Sequence, residues 1–394
     1  MLTPYLPYPL LSGGQIRTYN LLKKLSQHHS ITLFALIKDE SEKKYISHLE
    51  EFCSVVRVFK RSQRPFTLKN VLKTAVSSYP FLIIRNHVPE VIKAVEAELS
   101  YTQYDLIHAE TFYMMPHIPQ TDTPILLVEQ TIEYLGYESY AERAHPLLQP
   151  ILAVDIAKIK HWEKHFWKKS DVLVTMSEAD KEYIAQVLGE KEGIQVVENG
   201  VDAAWFAEKP WKPPPTPTAL FVGTFKWLPN VEAVNYLLDA VWNGVKAQIP
   251  NAQLHIVGNE PTQDIIEKAK ALKDVKVLGR IDDIRDAFST ANVLIAPVMS
   301  GKGTRYKILE AMAAGTPIVA TPTAVEGIDV TPDTHVVLSS SPEELIQQTV
   351  KVLQNRSLQK KLSSTGKLYV AQHFEWGEIS KKLDALYNAM GNQS

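Results

Sequence analysis

Cysteine is almost absent. Cys53 is the only one, so no intramolecular disulfide forms, and a thiolate zinc site lacks its ligands. A reducing compartment suits such a chain. No stretch approaches about 18 consecutive apolar residues, the length that would mark a membrane span. The start carries Pro4, Pro7 and Pro9 and no basic residue ahead of an apolar run, unlike a signal peptide. The expectation is a cytoplasmic protein, at most peripheral at the inner face of a membrane. Charge of one sign is also missing: 42 Lys plus Arg against 44 Asp plus Glu leave −2, and no groove-reading motif appears. Nucleic acid is therefore not an expected partner, and any anion site must be local.

What is present is an average globular composition, 45% hydrophobic and 22% charged over 394 residues, enough for two or three domains. Short β-branched runs alternate with helical periods: Ile31 to Ile37, Val55 to Phe59, Asp105 to Ala109, Ile125 to Val128 and Asp171 to Thr175. Five prolines between Pro210 and Pro217 then interrupt any regular element. The rhythm resumes at Ala219 to Val222, Gln253 to Val257, Val275 to Leu278, Val293 to Ala296 and Ile318 to Ala320. The fold class expected is α/β, two doubly wound Rossmann-like domains. Their expected limits are 1–206 and 218–373, joined by a linker at 207–217. A last helix, within 374–394, is expected to pack back on the first domain. In such sheets ligands lie beyond the carboxyl ends of the strands.

The segment Ala296 to Ala320 reads strand end, Gly-rich loop, helix, Gly-Thr-Pro and a second strand. Gly301 and Gly303 permit close backbone approach, and the helix that follows offers unpaired N–H groups and a positive dipole end. Lys302, Arg305 and Lys307 add cations, so a diphosphate suits the site. Glu310 sits among Ile308, Leu309, Ala311 and Met312, where a carboxylate needs partners. Two readings stand: a salt bridge to Lys307 three residues earlier, or acceptance of two ribose hydroxyls.

The stretch Leu309-Glu310-Ala311-Met312-Ala313-Ala314-Gly315-Thr316-Pro317 resembles the donor-binding segment of the family 4 retaining glycosyltransferases, which have the GT-B fold. Ser12-Gly13-Gly14, Val174-Thr175-Met176-Ser177-Glu178, Glu198-Asn199-Gly200-Val201-Asp202 and Ile256-Val257-Gly258 agree in order and spacing. The resemblance implies transfer of a sugar from a UDP- or GDP-sugar to a hydroxyl of a glycan or lipid-linked acceptor, with retention and no metal or other cofactor. It assigns Gly13, Gly14, Lys226, Gly303, Thr304, Arg305 and Lys307 to the diphosphate, and Arg280, Ile281 and Glu310 to the nucleoside. Glu310, His108 and Lys302 become the candidate catalytic residues, with Glu110, Glu129 and Gln130 on the acceptor side. A GT-B nucleotide-sugar epimerase and a non-catalytic binding subunit are the alternatives.

Several positions depart from the family pattern. Its first glutamate is replaced by Lys302, so either an acidic donor sugar, another phosphate contact or a solvated lysine is implied there. Its usual Arg and Lys after the first strand of the second domain fall at Thr224 and Pro229, leaving Lys226; Arg305 and Lys307 are expected to take over the charge, as in a Gly-x-Gly-Thr-Arg-x-Lys subgroup. A histidine that often faces the transferred sugar aligns with Gln130, whose amide does not titrate. Met1 to Tyr5 supplies barely the end of a first strand, so Met1 is expected to lie inside a longer natural one.

From Phe52 to Pro89 seven basic residues, Arg57, Lys60, Arg61, Arg64, Lys69, Lys73 and Arg85, meet no Asp or Glu. Phe66, Leu68, Val71, Leu72, Ala75, Val76 and Tyr79 recur among them at helical spacing. Such a stripe faces either the core or an anionic membrane surface. The segment from Lys158 to Lys169 has the same character.

Overall fold

The computed structural model describes residues 1–391 apart from 65, 190–191 and 301–305. It divides into two compact units, Met1–Glu198 with Ile379–Ser394, and Asn199–Glu378.

The first unit is built on seven parallel strands: β1 (Leu2–Thr3), β2 (Thr32–Ile37), β3 (Val55–Lys60), β4 (Ile107–Glu110), β5 (Ile125–Glu129), β6 (Val172–Thr175) and β7 (Ile194–Val196). Their spatial order is β3-β2-β1-β4-β5-β6-β7. The second unit has six parallel strands: β8 (Thr218–Val222), β9 (Gln253–Val257), β10 (Val275–Gly279), β11 (Val293–Ala296), β12 (Ile318–Ala320) and β13 (Val337–Leu338). Their order is β10-β9-β8-β11-β12-β13. The apolar runs in the sequence fall within two residues of these strands because parallel strands covered on both faces must be apolar throughout. All six residues of β2 are buried, as are all four of β11. The order reverses between β1 and β4 and again between β8 and β11, and these are the places where such sheets open a crevice.

The expected limit at 206 lies beyond the observed division. Val201 and Phe206 belong to the second core, and the Pro-rich stretch runs along the same unit, held by the Trp211 indole on the Ala291 carbonyl at 2.8 Å. The Asn199-Gly200-Val201-Asp202 segment fastens the chain here. Gly200 lies against Trp376, where an added Cβ would come within 2.8 Å of the indole; Val201 N–H donates to the Phe374 carbonyl at 2.7 Å, and Asp202 caps the helix Ala203–Ala207. Trp376 is fully buried, and losing so large a side chain from a core costs about 3–5 kcal/mol.

The last helix, Trp376–Gly391, begins in the second unit and ends in the first. There its Asp384 accepts from His29 at 2.7 Å, and Tyr387 reaches His108.

Candidate active site

In the second unit, β11 leads through Pro297–Ser300 to the helix Tyr306–Ala314. Gly303, Thr304, Arg305 and Lys302 lie outside the described residues. The helix ends because Gly315 takes φ +82°, with its N–H on the Met312 carbonyl at 3.0 Å and the Thr316 N–H on Ala311 at 2.8 Å. That pair of bonds is a Schellman cap, which explains the Gly-Thr-Pro triplet. All of the helix is buried except Tyr306 and Glu310, one turn apart on its open face.

Lys307 turns the other way. Its ammonium donates to Asn230 Oδ1 at 2.8 Å and stands 4.7 Å above the Phe221 ring of β8. Asn230 in turn donates to the Thr224 carbonyl at 2.9 Å, so the cation is fixed to the loop after β8. Gly223 clears the space, since a Cβ there would meet the Asn230 amide at 2.7 Å. Gly258, after β9, comes still closer: a Cβ would lie 1.8 Å from the Gly223 carbonyl oxygen. The helix Leu228–Tyr236 starts beside this loop with Pro229 in its first turn and no side-chain cap, so no side chain neutralises the positive end of its dipole. Lys226 is exposed on the same loop.

Of the two sequence readings of Glu310, the salt bridge is not formed: among the described residues Glu310 makes no ion pair. Burial pushes its carboxyl up to about 7, opposed by the charge of Lys307. A carboxylate so placed gains from hydrogen-bond donors brought by a ligand. Arg280 is exposed and Ile281 half-buried at the carboxyl end of β10, whose Gly279 carbonyl receives the Gly258 N–H at 2.8 Å.

In the first unit the structure brings His108, Glu110, Gln130 and Gly14 together, though in the interior. His108 Nε2 meets Glu110 Oε1 at 3.2 Å, and its Nδ1 meets the Tyr387 hydroxyl. Gln130 Nε2 donates to Glu110 Oε2 and to the Tyr5 hydroxyl, both at 2.7 Å. Burial lowers the His108 pKa against the pull of Glu110. For Glu110, burial acts upward but His108, Arg17 and Gln130 together outweigh it and lower the pKa. A neutral imidazole donating from Nε2 to an ionised Glu110, and accepting from Tyr387, satisfies every partner. Both nitrogens of His108 are thereby engaged, and it is 2% exposed. Gly14, in the first turn of the helix Gly13–Leu25, abuts this chain: a Cβ would lie 2.5 Å from the Tyr5 hydroxyl.

Glu129 is also buried. Its Oε1 accepts from the Trp167 indole at 3.2 Å, while Oε2 is buried without a hydrogen bond of good geometry among the described residues. Glu163 lies near it, accepting the Glu133 and Tyr134 N–H groups at 2.7 and 3.1 Å. Burial first, then neighbouring carboxylates, hold both acids well above the usual range.

Comparison with known proteins now decides the family. The description Glycosyltransferase Family 4 matches residues 11–205, and Glycosyl transferases group 1 matches residues 216–355. The chain belongs to glycosyltransferase family 4. A phosphatidyl-myo-inositol mannosyltransferase of Mycobacterium leprae is 27% identical over 181 residues, 44% of this chain and 46% of the relative. That of Mycolicibacterium smegmatis is 34% identical over 130 residues, 32% of this chain and 33% of the relative. The matches thus span half or less of these curated relatives. Among solved structures, sucrose-phosphate synthase from Thermosynechococcus elongatus superposes with TM-score 0.73 at 18% identity, covering 100% of this chain and 99% of that one. Anabaena HepE in complex with UDP and glucose gives TM-score 0.65 at 15% identity, covering 98% of both chains. These likenesses establish the GT-B fold of the family 4 chain.

The family's sequence pattern points to Glu310 and Lys307 but not to Asn230, which fixes Lys307 from 77 residues away. Tyr5, Arg17 and Tyr387 around His108 were missed as well. Their only signal is tertiary: Tyr387 and His108 are 279 residues apart.

Proposed function

We propose that this chain is a retaining glycosyltransferase that moves a sugar from a nucleotide-diphosphate sugar to a hydroxyl of a glycan or lipid-linked acceptor without a metal. The observation that carries the reading is Lys307 and Glu310 on one helix at the carboxyl end of β11. The cation there is fixed toward the loop after β8, and the carboxylate on the open face makes no ion pair among the described residues. Lys307 and the uncapped helix end beside Asn230 neutralise the leaving diphosphate, the task a metal performs elsewhere. Glu310 accepts the ribose hydroxyls. In the transfer, the bond from the anomeric carbon to the phosphate oxygen breaks and the acceptor oxygen bonds that carbon on the same face. The hydroxyl proton passes to the leaving phosphate oxygen. No side-chain nucleophile is required, which agrees with the engagement of both His108 nitrogens.

Thermal unfolding with UDP, GDP and ADP, each with a chelator, tests the donor site. A nucleotide at 100 times its Kd adds about 2.7 kcal/mol of stability. Stabilisation by one of the three that survives chelation is the expected result, and it also names the base. No stabilisation by any of them would overturn the reading.

A lipid-linked acceptor agrees with the surface of the first unit. The helix Leu68–Val76 turns Asn70 inward and its apolar stripe outward: Phe66 is 81%, Leu68 76% and Val76 90% exposed. Arg64, Lys69 and Lys73 are exposed beside them. Lys158, on the helix Gln149–Lys169, holds the end of Leu68–Val76, donating to the Thr74 and Ser77 carbonyls at 2.7 Å; beside it on Gln149–Lys169, Ile151 and Val154 extend the apolar exposure. A core-facing stripe is not what the structure has. No helix among the described residues is long and apolar enough to cross a membrane. The exposed stripe and its cations support a reading of peripheral attachment to an anionic leaflet, at about 1 kcal/mol per basic residue. The protein is expected to sediment with anionic liposomes at low ionic strength and to be released by salt. Lys69→Ala with Lys73→Ala should weaken binding about thirtyfold; no binding by the wild type at low salt would refute the attachment.

A further inference from the structure

The glycosyl-transfer reading leaves the acceptor's chemistry open, and two arginines of the first unit bear on it. Arg61 follows β3 directly, its N–H on the Ile37 carbonyl at 2.9 Å, and Arg85 lies in the helix Phe81–Asn86. They are neighbours whose positive charges act on each other, and both act on the Tyr113 hydroxyl in the turn Phe112–His117 that follows β4. Arg85 also faces Glu133, at the start of the helix after β5. The cluster therefore collects groups that follow β3, β4 and β5, beyond the carboxyl ends of the strands, where α/β sheets take their ligands.

The charges are not matched. Arg61 donates to the Asn86 side chain at 2.7 Å, and among the described residues neither arginine makes an ion pair. Among the described residues the Nε atoms of both are buried without a hydrogen-bond partner. Two guanidiniums whose charges act on each other in a partly buried place repel and leave donors unsatisfied, at a cost the fold bears without a carboxylate among the described residues clamping either one. Glu42, an acid whose charge acts on Arg61, spends a carboxylate oxygen on the Lys38 and Asp39 N–H groups. Burial pushes Glu133 up to about 7 even beside Arg85, so it readily keeps its proton and then donates rather than repels. Thr111, directly ahead of Tyr113, is held at φ +75°, a strained conformation for a β-branched residue.

We propose that Arg61 and Arg85, with Tyr113, form a binding site for an oxyanion, a phosphate or a carboxylate, carried by the acceptor. The site rests on the transferase reading for the identity of its ligand as acceptor, and on the arginine pair for its charge. Planar guanidinium forks suit an oxyanion better than a neutral sugar hydroxyl, because each adds a charge-assisted bond.

The test uses the full chain and two probes, glycerol 3-phosphate and glucuronate, with methyl glucoside as the neutral control. Arginine Nε–H resonances and calorimetry read binding in the wild type, Arg61→Gln, Arg85→Gln and Arg85→Lys. At least one anion should bind, shift two arginine resonances and lose tenfold or more affinity in each glutamine variant. Arg85→Lys should fall between, and the neutral sugar should not bind. Preference for the phosphate ester or for the uronate tells which group the acceptor carries. Melting temperature and nucleoside diphosphate affinity, unchanged in the variants, show that fold and donor site are intact. Equal anion affinity in wild type and both glutamine variants would overturn the site. So would a wild type that takes a nucleoside diphosphate but neither anion. Anion binding without nucleotide binding would sink the transferase reading and leave the arginine site standing.

Discussion

Glu310→Ala is expected to lower kcat/KM for the nucleotide sugar about a thousandfold, with the melting temperature held or raised. Two hydrogen bonds from ribose hydroxyls to an ionised carboxylate contribute about 1.5–3 kcal/mol each. A loss near 4 kcal/mol corresponds to three decades. The fold gives up little, because Glu310 has no ion pair among the described residues and its ionised form is disfavoured by burial. A reduction of less than tenfold would remove Glu310 from the donor site. The same residue predicts a pH dependence. Burial raises its pKa above the ordinary carboxylate value, to about 7, so the free protein holds it largely protonated at pH 6. Two hydroxyl donors require the ionised form, so nucleoside affinity should rise about tenfold from pH 6 to pH 8. That slope should vanish in Glu310→Gln, and a nucleoside without phosphates keeps the ligand's own titration out of the comparison. A flat wild-type profile would contradict the role.

Lys307→Gln should weaken nucleoside diphosphate binding by about a hundred- to a thousandfold while leaving nucleoside affinity within about threefold. Glutamine keeps an N–H donor for Asn230 and removes only the charge. A unit charge about 4 Å from a phosphate contributes about 4 kcal/mol at an effective permittivity of 20, and more than one phosphate oxygen shares it. Calorimetry with UDP, GDP or ADP against the parent nucleoside separates the two effects. Equal loss for nucleotide and nucleoside would mean that the substitution disturbed the loop after β8 rather than the charge. Because Lys307 holds the Glu310 carboxyl down, its loss should also move the nucleoside pH midpoint to higher pH.

Strand positions were legible because doubly covered parallel strands leave continuous apolar runs, as at Val293 to Ala296. The edge strands Ile194–Val196 and Val337–Leu338 were not read, being too short to show a pattern. Leu2–Thr3 holds the centre of its sheet with only two residues, paired to Phe34 and Ala109. The donor helix was legible through its Gly-Thr-Pro stop and its one carboxylate among apolar neighbours. The orientation of the basic helix was not: its stripe permitted core or surface, and what decided was Asn70 and Thr74 fitting inward, a matter of packing. The buried state of His108 and Glu110 was hidden for the same reason, since Tyr387, Gln130 and Tyr5 come from distant segments.

The last helix gives the molecule an order of assembly. The first unit needs Tyr387 for His108 and Asp384 for His29, yet the 180 residues 199–378 of the second unit are synthesised before them. At about 5–20 residues per second, the leading 198 residues wait about 10–40 s on the ribosome for the element that closes them. Asn199–Glu378 is continuous and can finish first. The unit made first is completed last, and a nascent chain halted anywhere in the second unit carries a first unit with an open side.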